Sequence, residues 1–127
     1  MEKREILFRG WNKKNKRWLY GYYCVNRGEH FIAPDEFVNP LASYEDYVVD
    51  ADTVGQYTGM KDAKGKRIFE GDIIESNGCE HAILYNEGEA QFVVAVKETS
   101  YVTGGINLQW INGCEKVIIG NIHEDKN

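Results

Sequence analysis

The sequence predicts an all-β, β-dominated fold assembled from short antiparallel hairpins, a small barrel or sandwich. Three observations carry that expectation. Aromatic residues form 13% of the chain, with eight Tyr, five Phe and three Trp. Aromatic and β-branched side chains suit a pleated, half-buried surface. Thirteen glycines stand against two prolines, and glycines at intervals supply the backbone angles that tight turns need. Finally, no long segment carries the 3.6-residue apolar period of an amphipathic helix.

The elements follow in order. Glu5–Arg9 and Arg17–Val25 read as strands. Between them a polar connection runs from Trp11 to Trp18, which is a hairpin signal with the two indoles packing across it. His30–Ala33 reads as a short strand. Residues 34–52 hold two prolines, many acids and scattered aromatics. They read as a long irregular loop with one helical turn near Ser43–Tyr47, capped by Ser43. A loop of that length inside a compact domain marks either a function or an element that the pattern conceals. Val54–Met60 and Arg67–Phe69 flank the turn Lys61–Lys66, where Asp62 and Gly65 take the first and fourth places of a type I turn. Asp72–Ser76, Glu80–Tyr85, Ala90–Lys97, Ile106–Ile111 and Lys116–His123 complete the strands. Their connectors carry Asn77-Gly78, Glu87-Gly88, Gly104-Gly105 and Asn112-Gly113, which are strong hairpin signals.

A chain of 127 residues fits one domain. No repeat, low-complexity tract or linker interrupts it. No apolar run approaches the ~20 residues that span a membrane, and the polar start MEKREILFRG does not read as a secretory signal. A cytoplasmic protein is expected. The net charge of -5 hides a segregation. Residues 1–20 carry +5, residues 21–60 carry -6, residues 61–67 carry +3 and residues 68–127 carry -7. The two basic clusters fall at turns. They suit phosphate or an acidic partner, or they are solvated hairpin tips.

Chemistry-bearing constellations are sparse. Cys24, Cys79 and Cys114 are odd in number and widely spaced, so buried free thiols are expected. Cys79-Glu80-His81 offers two potential metal ligands, whereas zinc takes three or more protein ligands. His30 and His123 are isolated. Gly59-Met-Lys-Asp-Ala-Lys-Gly65-Lys66-Arg67 departs from a phosphate-binding loop in its glycine spacing and in Arg67, where that loop has Ser or Thr. No serine lies in G-x-S-x-G. The carboxylates Glu70 and Asp72, and Glu87 and Glu89, read as solvating pairs. No catalytic residue, metal or cofactor is assigned, and an enzyme is not expected.

Nucleic acid is the stronger alternative. Small barrels bind single strands by stacking bases on aromatic rings beside a basic groove. Here Trp11 and Trp18 lie among Arg9, Lys13, Lys14, Lys16 and Arg17, and Tyr20 and Tyr22 share one side of a strand. The sequence pI of 5.2 opposes phosphate binding. The same aromatics suit a core or a subunit interface.

One segment is more specific. Thr53-Val-Gly-Gln-Tyr-Thr-Gly-Met-Lys-Asp-Ala-Lys-Gly-Lys-Arg-Ile-Phe-Glu-Gly-Asp-Ile73 resembles the signature of the YopX protein family of phages and prophages. Ile6-Leu-Phe-Arg-Gly-Trp11 resembles its opening block, and Ile118-Ile-Gly-Asn-Ile-His-Glu124 its closing block. Gly10 stands where the family usually has Ala, and Ala51 where it usually has Pro. The resemblance implies a β-rich protein whose C-terminal part is a small SH3-like barrel, encoded in phage or prophage genes and similar to proteins reported as oligomers. It implies no enzymatic activity. The expected organisation is a single domain, with the hairpin and acidic loop in 1–52 and the barrel in 53–127. Within the signature, an acid–Gly–Asp turn entering a strand can cap backbone N–H groups through its carboxylate. If the signature is instead a surface, Gln56, Tyr57, Asp62, Glu70 and Asp72 are its candidate contacts.

The leading expectation is a non-enzymatic binding or assembly module, a homo-oligomer or a partner of a phage or host protein. A nucleic-acid-binding module is the second reading. A small-ligand protein or enzyme, with the 34–52 loop as a lid, is the third.

Overall fold

The structure, a computed structural model, describes residues 5–34, 43–76, 78–88, 90–96 and 116–124. It is β-dominated, with antiparallel strand pairing throughout the registered pairs. The chain forms two compact units, Met1–Tyr57 and Thr58–Asn127, each with a hydrophobic cluster of its own.

The N-terminal unit holds β1 (Phe8–Asn12), β2 (Arg17–Asn26), β3 (Glu29–Pro34), β4 (Val48–Val49) and the start of β5 (Gly55–Lys61). Its strands lie in the order β4-β3-β2-β1-β5. Side chains alternate between faces with period two. That alternation sends Leu19, Ile32 and Val49 to one face, where Phe8, Tyr23 and Val54 pack against them. The ten-residue β2 is central, paired with β1 on one side and β3 on the other. At its middle a side chain is impossible, because a Cβ on Gly21 would overlap the carbonyl of Ala33.

The C-terminal unit holds the rest of β5, β6 (Arg67–Phe69), β7 (Asp72–Ser76), β8 (Cys79–Asn86), β9 (Gln91–Val96) and β10 (Val117–Asn121). Four of these form a sheet in the order β10-β7-β8-β9. Ile68, Ile74, Ile83 and Val94 make its core, joined by Met60, Phe92 and Ile118. The Asp62-to-Gly65 turn closes with the Gly65 N–H on the Asp62 carbonyl at 3.0 Å, as the turn chemistry of the sequence predicts.

Most predicted strands recur within one or two residues. Two differences have clear causes. β1 begins at Phe8 and runs on to Asn12, because Trp11 and Trp18 pair in register and bring Asn12 opposite Arg17. The 34–52 segment is not irregular throughout. Its described part contains a 3-10 turn at Tyr44–Asp46, the short strand β4 and the start of a second 3-10 turn, Ala51–Thr53. The β-branched pair Val48-Val49 adds to β3 through Phe31↔Val48 and His30↔Val49, a two-residue strand too short to show a period. The predicted strand Ile106–Ile111, the connectors Gly104-Gly105 and Asn112-Gly113, and Cys114, Asn77 and residues 35–42 lie outside the described residues.

Candidate functional site

The basic hairpin tip meets the acidic segment of its own unit. Asn12 organises the meeting. Its side chain is buried, donates to the carbonyls of Val48 (2.7 Å) and Glu45 (3.1 Å), and accepts the N–H of Asn15 (2.7 Å). Asn15 in turn donates to the Asp46 carboxylate at 3.1 Å. Lys14 pairs with Asp46 at 3.0 Å and with Glu45 at 3.9 Å, and Lys13 pairs with Asp50 at 3.4 Å. Asp46 also accepts the N–H of Ser43 at 2.9 Å, at the start of the 3-10 turn. The Asn15 amide, the Lys14 ammonium and the Ser43 N–H together hold the Asp46 carboxyl down at about 2. The hydrogen bond and charge of Asp46 raise the Lys14 ammonium above its ordinary value. Part of the +5 stretch is therefore matched by the chain's own acids. Lys16 and Arg17 remain exposed beside this clasp.

The second feature is an aromatic face. Trp11 and Trp18 are register partners in an edge-on contact, 5.5 Å between centroids at 67°. The Arg9 guanidinium sits 4.8 Å from the centre of the Trp18 ring, a cation–π contact. Arg9 itself is buried. Further along β2, Tyr20 lies opposite Arg9, Tyr22 opposite Ala33 and Cys24 opposite Phe31. Period-two alternation puts Trp18, Tyr20, Tyr22 and Cys24 on this one face. Tyr20 is 46% exposed and Tyr22 58%. Cys24 is a free, exposed thiol, which corrects the expectation of burial. Its register opposite Phe31, on the face away from the Leu19–Ile32 core, is the reason.

The third feature is an open groove of about 480 Å³ beside the clasp. Val48 and Val49 line it, with Lys13, Glu29, Tyr44 and Glu45 among the groups around them. It borders the described part of the 34–52 segment, the lid of the small-ligand expectation.

The signature residues have mostly backbone work. Thr53 is buried, accepts the N–H of Trp11 at 2.9 Å and donates to the Asp50 carbonyl at 2.6 Å. Thr58 donates to the Ile68 carbonyl at 2.8 Å and so ties β5 to β6. Asp62 is buried. One carboxylate oxygen accepts the N–H groups of Lys64 and Lys66, each at 2.9 Å, and the other accepts that of Ile118 at 3.1 Å. Burial pushes its carboxyl up, but the Ile118, Lys66 and Lys64 amides outweigh this and leave it below its ordinary value. Asp72 is 2% exposed and accepts the Phe69 N–H at 2.7 Å, as a capping carboxylate would. Tyr57 is buried and Gln56 and Glu70 are half-buried. The structure thus gathers Arg9, Trp11, Trp18, Lys13 and Lys14 in the N-terminal unit, and spends Asp62 and Asp72 on backbone amides.

The roles of Asn12 and Thr53 are not marked in the sequence. A polar residue at an apolar-phase strand position was the available signal for Asn12. Among the described residues no group of three His, Cys, Asp or Glu side chains could hold a metal ion. No helix among them is long and apolar enough to cross a membrane.

In comparisons with known proteins, no curated protein matches the chain. A solved structure does, the crystal structure of protein EF1440 from Enterococcus faecalis. It is 23% identical, the match covers 98% of each chain, and the TM-score is 0.58. At that identity the likeness shows a shared fold. A family model described as YopX protein matches residues 7–127. That span contains the Thr53–Ile73 signature and the closing Ile118–Glu124 block in full, and it meets the expectation drawn from them: the chain belongs to the YopX protein family.

Proposed function

We propose that this is a non-enzymatic accessory protein of phage or prophage origin, working in the bacterial cytoplasm as a β-rich assembly module whose C-terminal unit is of SH3-like barrel type. The observation that carries the reading is the aromatic face of β2. Two tyrosines at alternate positions, about half exposed, continue a row begun by a packed tryptophan pair. Interface cores are enriched in Tyr, Trp and Arg and depleted in Lys and acids, and this face has that composition. Its occupant in this reading is a second copy of the chain. Light scattering on the wild type and on a Tyr20→Ala/Tyr22→Ala variant tests it. An oligomer is expected for the wild type and a lower mass for the variant. A monomeric wild type at high micromolar concentration would sink the reading.

A second reading is supported by the same rings. Tyr20 and Tyr22 would stack on bases, with the exposed Lys16 and Arg17 nearby in sequence to meet phosphates, the arrangement of single-strand platforms. The ion pairs of Lys13 and Lys14 count against it. Anisotropy with labelled single strands decides between the two. Binding that falls steeply with salt supports nucleic acid, and none at low salt removes it.

A further inference from the structure

The groove beside the hairpin tip carries an inference independent of the aromatic face. Its charge balance is opposite in sign to the one that residues 1–20 suggest. The surrounding cations are Lys13 and Lys14, and each already has an acid: Asp50 at 3.4 Å for Lys13, Asp46 at 3.0 Å for Lys14. Glu45 is the remoter partner of Lys14, at 3.9 Å, with its side chain 60% exposed. Glu29 is exposed and forms no ion pair among the described residues. Glu29 and Asp50 each adjoin a member of the His30↔Val49 pair, yet only Asp50 has a lysine. Two carboxylates are therefore in excess around an apolar strip.

The strip is Val48, on the same sheet face as its register partner Phe31, and Tyr44 stands beside it, 61% exposed and tilted against Phe31 at 6.4 Å; Val49 borders the groove but sends its side chain into the Leu19–Ile32 core. The backbone that carries both acids is held in place. The Glu45 carbonyl is fixed by Asn12, and Glu29 closes the β2–β3 ladder opposite Asn26. An alkyl stem on Val48, a cationic head near the carboxylates and an aromatic ring alongside describe one ligand class. Lysine and arginine side chains bury their stems and keep their heads among polar groups, and aromatic rings attract such cations.

We infer that this groove is a docking site for a basic side chain, a Lys or Arg presented on an extended segment of a protein partner, with Glu29 and Glu45 receiving the cation and Tyr44 and Val48 the stem. Lys13 and Lys14 act as internal competitors there, so the partner must exceed what the chain's own lysines supply.

Titration of the full chain with a fluorescein-labelled tetralysine peptide at low salt tests this. Glu29→Gln and Tyr44→Ala are each expected to weaken binding about three-fold, the scale of one exposed ion-pair or cation–π contact. Glu75→Gln, an exposed acid on β7, is expected to change nothing, which separates the groove from general attraction to an acidic protein. Lys13→Gln is expected to tighten binding about two-fold by freeing Asp50. The inference is overturned if tetralysine does not bind, if Glu75→Gln weakens binding as much as Glu29→Gln, or if Lys13→Gln weakens it. Preference for tetraglutamate or for a single-stranded oligonucleotide overturns it equally. None of these outcomes bears on the oligomer test of Tyr20 and Tyr22.

Discussion

Asp62 offers the sharpest test of the fold's logic. Its carboxylate joins a turn to a strand 56 residues later in the chain, through the Ile118 N–H at 3.1 Å. It also holds the turn itself through the amides of Lys64 and Lys66. Replacing it with Ala strands all three donors. The two lysine amides belong to exposed residues and regain water, so their loss costs about 0.5–1 kcal/mol each. The Ile118 amide lies on a half-buried strand residue facing a charged acceptor, worth about 1.5–3 kcal/mol. Asp62→Ala should therefore destabilise by about 2.5–5 kcal/mol. Asp62→Asn keeps one oxygen for the turn amides but turns an NH2 toward Ile118, for a loss of about 2 kcal/mol. Urea unfolding followed by circular dichroism measures both, and hydrogen exchange at the Ile118 amide localises the change. Values within about 0.5 kcal/mol of wild type for both variants would refute the reasoning. The pH dependence carries the same signature. The folded carboxyl lies below its ordinary value, so its contribution is complete above the unfolded value of about 3.9 and is lost as pH falls through the folded one. Asp62→Asn should remove that part of the acid sensitivity.

Three further outcomes follow from particular contacts. The Asp46 carboxyl should titrate by NMR with a midpoint near the value of about 2, and Asn15→Ala should move that midpoint up, since the Asn15 amide is the largest influence holding it down. Its contribution to the clasp is complete above the ordinary carboxylate range and fades as pH falls toward that midpoint. A double-mutant cycle on Trp11 and Trp18, read by denaturant unfolding, should return a coupling of about 0.5–1.5 kcal/mol for the edge-on pair. A value near zero would mean that the rings merely neighbour each other. Gly10→Ala, the residue the family usually carries there, should cost about 1–3 kcal/mol by overpacking, because its Cβ would come within 2.8 Å of the Val49 side chain. In the Val49→Ala background the cost of the same change should shrink, and purely additive losses would show that Val49 is not the obstacle.

Much of the fold was legible because local chemistry and tertiary structure agree. The Trp11-to-Trp18 connection reads as a hairpin, and its indoles do meet across it. Asp62 and Gly65 read as turn ends, and the closing hydrogen bond joins them. Ser43 reads as a cap, and the 3-10 turn starts beside it. What stayed hidden depends on distant partners. Val48-Val49 is too short for a period and becomes a strand only because β3 offers an edge. Cys24 sits in a run of aromatics and valine, and only its register opposite Phe31 reveals that it faces outward. Asn12 looks like a turn residue, yet its carbonyl partners lie 33 and 36 residues away. The signature was recognisable as a pattern before its roles were. Thr53, Thr58 and Asp62 each bind backbone groups that become neighbours only in the folded chain, whereas Asp72 caps the Phe69 amide three residues back, as the acid–Gly–Asp turn predicts.

The charge pattern shows the same limit in a form that bears on function. A +5 stretch ahead of a -6 stretch invites a search for an external polyanion. Folding brings the two stretches together first. Lys13 and Lys14 then face Asp50, Asp46 and Glu45 at distances of 3.0–3.9 Å, and the local excess belongs to the acids. Exposed ion pairs of this kind contribute little stability each, so the clasp is not what holds the unit together. Its effect is on recognition. It lowers the attraction of the hairpin tip for phosphate and leaves Glu29 and Glu45 to attract cations. The sign of a partner's charge is therefore set by what remains after intramolecular pairing, and for the N-terminal groove of this protein the remainder is negative.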